Sequence, residues 1–551
     1  MLANLRSTLI LSWLLVNQCQ GQNLFAEIDR IFSSFNQNTP GYAIGIIKDG
    51  NLIYSKGYGS ANLEYKIALT DTSSFYIASL SKQFTAACII YLKEQGKISL
   101  QDDIRNYIPE MPKYSKTITI DHLLHHTSGI REWSSLVLFQ GFNPSFEDHI
   151  DNQTILRLIY QQKELNFDPG TAYKYSSSGY ILLTEIIERV SGMPLKEFAK
   201  KVLFQPLGME NTLFEDNHSE VVKNRVESYR STETGYERML KGFDVYGDGG
   251  ILTTVKDLAK WDQAFYSNVI TSDFSNQMYR LGRMKGNREI DYASGLIKGK
   301  NKGLTYYQHQ GGMIQFDSYM IRYPQKQFSV IVLSNSWSNP YSGYIAGKIA
   351  DLFLSKDYEI TDNPIIIEPI QVDSHHLKQY AGYFWNLEDN YYNLISYRND
   401  SLFFDNTEGF VEYLVPIALN TFQLKNHSSR IIFENNNTIM HYTDSTLNNV
   451  EMTFEKYNPG SPKSMSALKN YSGEYFSEEL QTWYRFFITN EAFFLKINNN
   501  SPIKLWPEHG PRVRWNTPSK VWIGFVGINF LDRSTLILGD SRVKRVDLHK
   551  Q

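Results

Sequence analysis

Phe75-Tyr76-Ile77-Ala78-Ser79-Leu80-Ser81-Lys82, followed by Gln83-Phe84-Thr85-Ala86-Ala87-Cys88-Ile89-Ile90-Tyr91-Leu92, decides how this chain is read. The first four residues are an apolar, strand-like run. From Ser79 onward Phe84, Ala87, Cys88, Tyr91 and Leu92 recur at i, i+3, i+4, i+7 and i+8, which predicts a helix closed by Gly96. A strand feeding a helix puts Ser79 at a helix N-terminus, where unpaired N–H groups and the positive dipole end favour developing negative charge. Ser79 and Lys82 are three apart and share a helical face, so an amine can reach a hydroxyl. A serine hydroxyl attacks only when a neighbour takes its proton. Alone, S-x-x-K is weak, and Ser79 reads as an N-cap; Ser466 and Lys469 fit the same spacing before a strand repeat.

Two further stretches give the serine a setting. Tyr175-Ser176-Ser177 lies in Pro169-Gly170-Thr171-Ala172-Tyr173-Lys174-Tyr175-Ser176-Ser177-Ser178-Gly179-Tyr180, a loop before a predicted helix over Tyr180 to Val190. A phenol with pKa about 10 relays protons at neutral pH only beside cations, and Lys82 is the cation on offer. His309-Gln310-Gly311-Gly312 follows a predicted strand, Leu304 to Gln308. Paired glycines let a backbone approach a ligand closely, and a histidine there adds a positive or hydrogen-bonding group. Read structurally, these are an aromatic loop with serine caps and a strand-end bulge with a surface histidine.

In this order and rough spacing, the three motifs resemble the serine β-lactamase and penicillin-binding-protein superfamily, in its class C branch of β-lactamases, D-alanyl-D-alanine carboxypeptidases, D-aminopeptidases and esterases. Ile120-Asp121-His122-Leu123-Leu124-His125-His126-Thr127-Ser128-Gly129-Ile130, Pro206-Leu207-Gly208-Met209 and Gly249-Gly250-Ile251-Leu252-Thr253-Thr254 are similar to the same branch. The resemblance covers Leu24 to Leu354. It implies that Ser79 is acylated, that Lys82 deprotonates it or tunes its base, and that Tyr175 relays protons and activates the deacylating water. It also implies that Ser177, His309 and Gly311 border the substrate, with the oxyanion held by the N–H groups of Ser79 and Gly312. Two residues depart from the pattern. Ser177 stands where the family has asparagine, and lacks the amide's two-sided contact. His309 stands where β-lactamases have lysine, which removes a fixed cation for a β-lactam carboxylate. The expectation is therefore a peptidase or esterase rather than a true β-lactamase, acting on an ester, an amide or a D-residue peptide. An inactive penicillin-binding-protein-like ligand binder or sensor is the alternative.

Around this core, 551 residues exceed one ordinary domain. A formal net charge of -3 without a basic block argues against nucleic acid or an acidic membrane as partner. Arg6, the apolar Leu9 to Val16 and Cys19-Gln20-Gly21 read as a secretory signal over 1–21, cut before Gln22, and no other segment is long and apolar enough to span a membrane. The expectation is export to a periplasm or beyond, with a lipoprotein cut before Cys19 as the lesser option. Cys19 and Cys88 are the two cysteines, so there is no disulfide framework; Cys88 falls on the apolar face of its helix.

Gly41 to Ile47 and Leu52 to Gly57 flank Lys48-Asp49-Gly50-Asn51, a hairpin signal. Other helices are expected over Leu24 to Phe35, Ile118 to His126, Val255 to Phe265 and Ser342 to Leu354, with strands over Phe316 to Tyr323 and Phe328 to Ser334 around Pro324 to Lys326. This is an α+β plan, an antiparallel sheet with helices, for a hydrolase domain over 22–356 and a linker over 357–376. Leu377-Lys378-Gln379-Tyr380-Ala381-Gly382-Tyr383 then recurs as Leu468-Lys469-Asn470-Tyr471-Ser472-Gly473-Glu474-Tyr475, an offset of 471 minus 380, or 91 residues. Each copy holds about eight strand-like runs, which predicts two small antiparallel β-barrel domains, 377–460 and 468–551, in preference to one larger barrel. His122, His125 and His126 lack a clear third ligand for zinc, so neither metal nor cofactor is expected. Arg131, Glu132 and Trp133 follow them with no assigned role.

Overall fold

The computed structural model describes residues 24–142, 149–337, 340–358, 369–386, 391–405, 411–425, 429–444, 450–458, 464–507, 512–515, 526–530, 534–540 and 542–551. The predicted signal, Cys19 included, and positions 359–368 of the predicted linker lie outside the described residues. The described residues fall into two compact units. Those of Met1–Ser99, Leu183–Leu281 and Tyr292–Thr361 form the first, and those of Leu100–Leu182, Gly282–Asp291 and Asp362–Gln551 the second.

Eight strands and six helices carry the candidate residues or frame them. The strands are β1 (Tyr42–Lys48), β2 (Asn51–Tyr58), β3 (Phe75–Tyr76), β4 (Ile251–Thr253), β5 (Ile297–Asn301), β6 (Leu304–Met313), β7 (Phe316–Tyr323) and β8 (Phe328–Ser334). The helices are α1 (residues 24–31), α2 (Lys82–Glu94), α3 (Trp133–Phe139), α4 (Ser177–Ser191), α5 (Val255–Ala264) and α6 (Ser342–Leu354).

The first unit is built on an antiparallel sheet of order β5-β6-β7-β8-β1-β2. The hairpin β1–β2 turns through Asp49 and Gly50, both at positive φ, 49° and 78°. That matches the twist a two-residue hairpin needs. Tyr42 pairs with Ser334 and Lys48 with Phe328, so the start of the chain is stitched to β8. Ile28 and Phe32, together with Ile345 and Ile349 of α6, bury one face of the sheet against Ile44, Ile46, Val330 and Val332. Elsewhere Arg322 of β7 and Asp262 of α5 form a buried ion pair at 2.6 Å, which Ser329 Oγ joins at 2.7 Å.

In the second unit two closed barrels of eight strands each run from Gly382–Asn386 to Val450–Tyr457 and from Gly473–Ser477 to Val546–Lys550. The two-barrel organisation expected from the repeat is therefore present. The repeat extends to backbone detail. Gly382 and Gly473 both sit at positive φ, 151° and 142°, where an added Cβ would meet Lys456 Cε and Lys550 Cε. Those lysines donate to Gln379 O and Ser472 O respectively. The first interior is packed with Phe384, Ile395, Leu402, Phe404, Phe422, Phe433 and Phe454, as side chains fill a barrel of eight strands.

Candidate active site

Ile77 leaves β3 by donating its N–H to Ile251 O at 3.0 Å. Ala78 then takes a positive φ of 46°, a conformation costly for any residue with a Cβ and concentrated at functional sites. A 3-10 turn, Ala78–Ser81, runs directly into α2. Ser79 is thus lifted on a strand–turn–helix corner and stays half-buried while its neighbours Ala78 and Leu80 are buried.

Lys82 is fully buried. Its Nζ donates to Ser79 Oγ at 3.1 Å and to the Asp248 carbonyl at 2.7 Å. The same segment fixes the start of α2 twice more, through Ile251 N–H to Ser81 Oγ at 3.1 Å and Thr85 Oγ1 to Gly247 O at 2.6 Å. The sequence could not flag Asp248, because it acts through a carbonyl that every residue carries.

The third motif lies within a strand. β6 continues from Leu304 through Met313, past the predicted end at Gln308, with Gly311 opposite Ser318 and Gly312 opposite Asp317. Gly311 passes so close to the nucleophile corner that an added Cβ would lie 2.0 Å from Ile77 O and 2.8 Å from Leu80 N. Ser318 Oγ closes the contact, donating to Ile77 O at 2.8 Å with Gly311 O at 3.1 Å. Gly312 faces Trp337, whose ring carbon would be 2.9 Å from an added Cβ.

His309 is buried rather than at the surface. Burial, with the charge of Lys82 adding to it and a bond to Gln310 O opposing it, pushes its pKa down to about 3. Its Nδ1 lies 2.6 Å from Gln310 O, which assigns the proton to Nδ1 and leaves Nε2 to accept from the Tyr292 hydroxyl at 3.1 Å. The ring is therefore neutral at pH 7, a hydrogen-bonding group and not the positive one. The unfolded pKa is about 6.5. Between about 6.5 and 3 only the unfolded chain takes up this proton, so stability rises with pH across that window. The contribution is complete above 6.5 and is lost as pH falls toward 3, by about 1.4 kcal/mol per pH unit. Urea unfolding from pH 7 to pH 4 is expected to show a shallower pH slope for His309→Gln than for wild type; equal slopes would refute the assignment.

Tyr175 and Ser177 belong to the second unit. The Tyr175 ring packs against His126 at a tilt of 35°, centroids 4.3 Å apart. Ser177 opens α4, and its N–H donates to Glu132 Oε2 at 2.6 Å. Glu132 is buried, a carboxylate at a helix N-terminus. Nothing in the sequence links it to a serine 45 positions later. The histidines of the 122–126 stretch each use Nδ1 within the protein: His122 with Thr119 N–H and His125 with Asp121 nearby, and His126 with the Ser176 N–H 50 positions on.

The pattern of the beta-lactamase family matches residues 28–352. Penicillin-binding protein 4* of Bacillus subtilis (strain 168) is 28% identical over 411 residues, covering 70% of this chain and 88% of that protein. The D-aminopeptidase of Gluconobacter oxydans (strain 621H) is 25% identical over 303 residues; the match spans 54% of this chain and 56% of that enzyme. Among solved structures, the octameric penicillin-binding protein homologue from Pyrococcus abyssi superposes with a TM-score of 0.54 at 23% identity, covering 79% of this chain and 99% of that one. The D-amino acid amidase from Ochrobactrum anthropi SV3, complexed with L-phenylalanine amide, gives 0.52 at 20% identity, over 61% of this chain and 99% of that one. At these identities the two structures establish a shared fold.

Proposed function

The chain belongs to the beta-lactamase family, and from that premise we propose that it is an exported serine hydrolase that cleaves an ester or amide, D-residue peptides included, through an acyl-enzyme on Ser79. One observation carries the proposal: Lys82 Nζ, fully buried, stands 3.1 Å from Ser79 Oγ.

In the proposed cycle Lys82 accepts the Ser79 proton as Oγ attacks the carbonyl carbon. The Ser79 and Gly312 N–H groups hold the resulting oxyanion. The tetrahedral intermediate collapses with the C–O or C–N bond breaking, and the proton passes to the departing alcohol or amine. Tyr175 enters through its motif, as the relay that accepts a proton from the water attacking the acyl-enzyme; the acid is released and Ser79 regains its hydrogen. A neutral His309 supports a peptidase or esterase over a true β-lactamase, because it offers a substrate carboxylate no charge. The D-aminopeptidase relative supports the D-residue option.

Intact-mass spectrometry after incubation with activated esters, D-amino-acid amides and penicillins tests this. An acyl adduct is expected on wild type and none on Ser79→Ala, whose thermal unfolding stays within about 1 kcal/mol of wild type because one hydroxyl bond is lost. An adduct on both proteins would refute Ser79. No adduct on folded wild type would favour the ligand-binding alternative. In the native host, the mass of the mature chain also reads whether it begins at Gln22.

A further inference from the structure

We infer that the second barrel positions the Tyr175-Ser176-Ser177 segment, with Glu479 and Arg131 as the positioning pair; this rests on the reading of Tyr175 as the proton relay. Glu479 lies between the first two strands of that barrel, Gly473–Ser477 and Thr482–Thr489. Its Oε2 meets Arg131 Nη1 at 2.8 Å, and its Oε1 accepts the Lys163 N–H at 2.8 Å. The Arg131 side chain is 3% exposed and also donates from Nη1 to Gln162 Oε1 at 2.9 Å. A surface ion pair contributes little, whereas breaking a buried one such as this is costly; Glu164, 3.7 Å from Arg131 Nη2 and largely exposed, compensates only weakly.

The neighbours of Arg131 give the pair its significance. The Arg131 carbonyl accepts from Ser178 Oγ at 2.7 Å, and Ser178 Oγ in turn accepts the Trp133 N–H at 2.7 Å. Glu132 Oε2 accepts the Ser177 N–H. Residues 131–133 are therefore gripped by the barrel on one side and grip residues 177–178 on the other. The barrel is seated around this junction by four more bonds. Tyr484 Oη donates to Phe139 O at 2.6 Å, and Gln140 Nε2 donates to Leu480 O at 2.9 Å. Asn166 is held from both sides, donating to Arg542 O and accepting from Lys544 N–H, each at 2.9 Å. The hydroxyl of Tyr175 sits two residues from Ser177, so a shift of residues 131–133 moves it. Misplacing a reacting group by about 1 Å can cost on the order of 10²-fold in rate.

The test is a cycle in the full-length protein: wild type, Glu479→Gln, Tyr175→Phe and the double variant, on an activated ester that wild type turns over. Glu479→Gln is expected to lower kcat about tenfold with KM little changed. The double variant should be no slower than Tyr175→Phe, because the barrel acts through that tyrosine. Glu479→Asp, which keeps the charge, should regain part of the loss, and it carries the same cycle if Glu479→Gln does not fold. Wild-type kcat in Glu479→Gln, or losses that multiply in the double variant, would overturn the inference while leaving Tyr175 in its role. Full activity of Tyr175→Phe would remove that role and the inference with it.

Discussion

Lys82→Met is expected to lower turnover about 10³-fold on any substrate the wild type cleaves, the middle of the range for positioned acid–base groups. Methionine fills the buried volume and removes the amine that touches Ser79 Oγ. It also takes the donor at 2.7 Å from the Asp248 carbonyl, which costs about 1–3 kcal/mol in urea unfolding. Lys82→Arg separates the two effects. A guanidinium keeps the donors but does not give up its proton, so it can hold Asp248 O yet cannot serve as a base. Lys82→Arg should therefore be as slow as Lys82→Met in a steady-state assay. Turnover within tenfold of wild type in either variant would sink the role given to Lys82.

Gly311→Ala should lower kcat about 10²-fold and destabilise the protein by about 1–3 kcal/mol. The added methyl would lie 2.0 Å from Ile77 O, 2.6 Å from Ser318 Oγ and 2.8 Å from Leu80 N. Two of those are backbone atoms that no rotamer change removes, so β6 and the Ser79 corner must separate. Gly347→Ala is the internal control. Its Cβ would meet nothing within 4 Å in the interior of α6, and it should stabilise by about 0.5–1 kcal/mol. Kinetics and urea unfolding of both variants decide the matter; wild-type kcat in Gly311→Ala would show that the close approach does not hold the nucleophile in place.

The strands Phe316–Tyr323 and Phe328–Ser334 and the helix Ser342–Leu354 were legible to the residue. Their apolar runs are bounded by turn residues, and burial enforces the pattern. β6 was underestimated because Gly311 and Gly312 look like a strand end, whereas the glycine serves a crossing with a distant corner. The helix at Ser79 was read from its start, but its entry is a 3-10 turn reached through Ala78 at positive φ. Alanine gives no local signal for that conformation; contacts from elsewhere impose it. The predicted Ile118 to His126 helix shrank to Ile120–Leu124, ended by residues whose rings bond back to the chain. Ser79 and Lys82 were legible because three residues of helix fix their distance. The neutrality of His309 and the grip of Glu132 on Ser177 were not, since burial and partners far along the chain decide both.

The hairpin at the start of the chain has a consequence for how the protein is made. β1 can complete its ladder only on β8, and the bond from Gly41 N–H to Asn335 Oδ1 spans 294 positions. Closing a loop of that length costs about 5 kcal/mol in chain entropy before any contact repays it. Synthesis proceeds from the N-terminus, so Tyr42–Lys48 waits with one edge open until Ser334 has emerged. The sheet is thus closed late, when β8 meets the waiting β1–β2 hairpin, and a chain cut short before β8 would leave an apolar strand edge exposed to its neighbours.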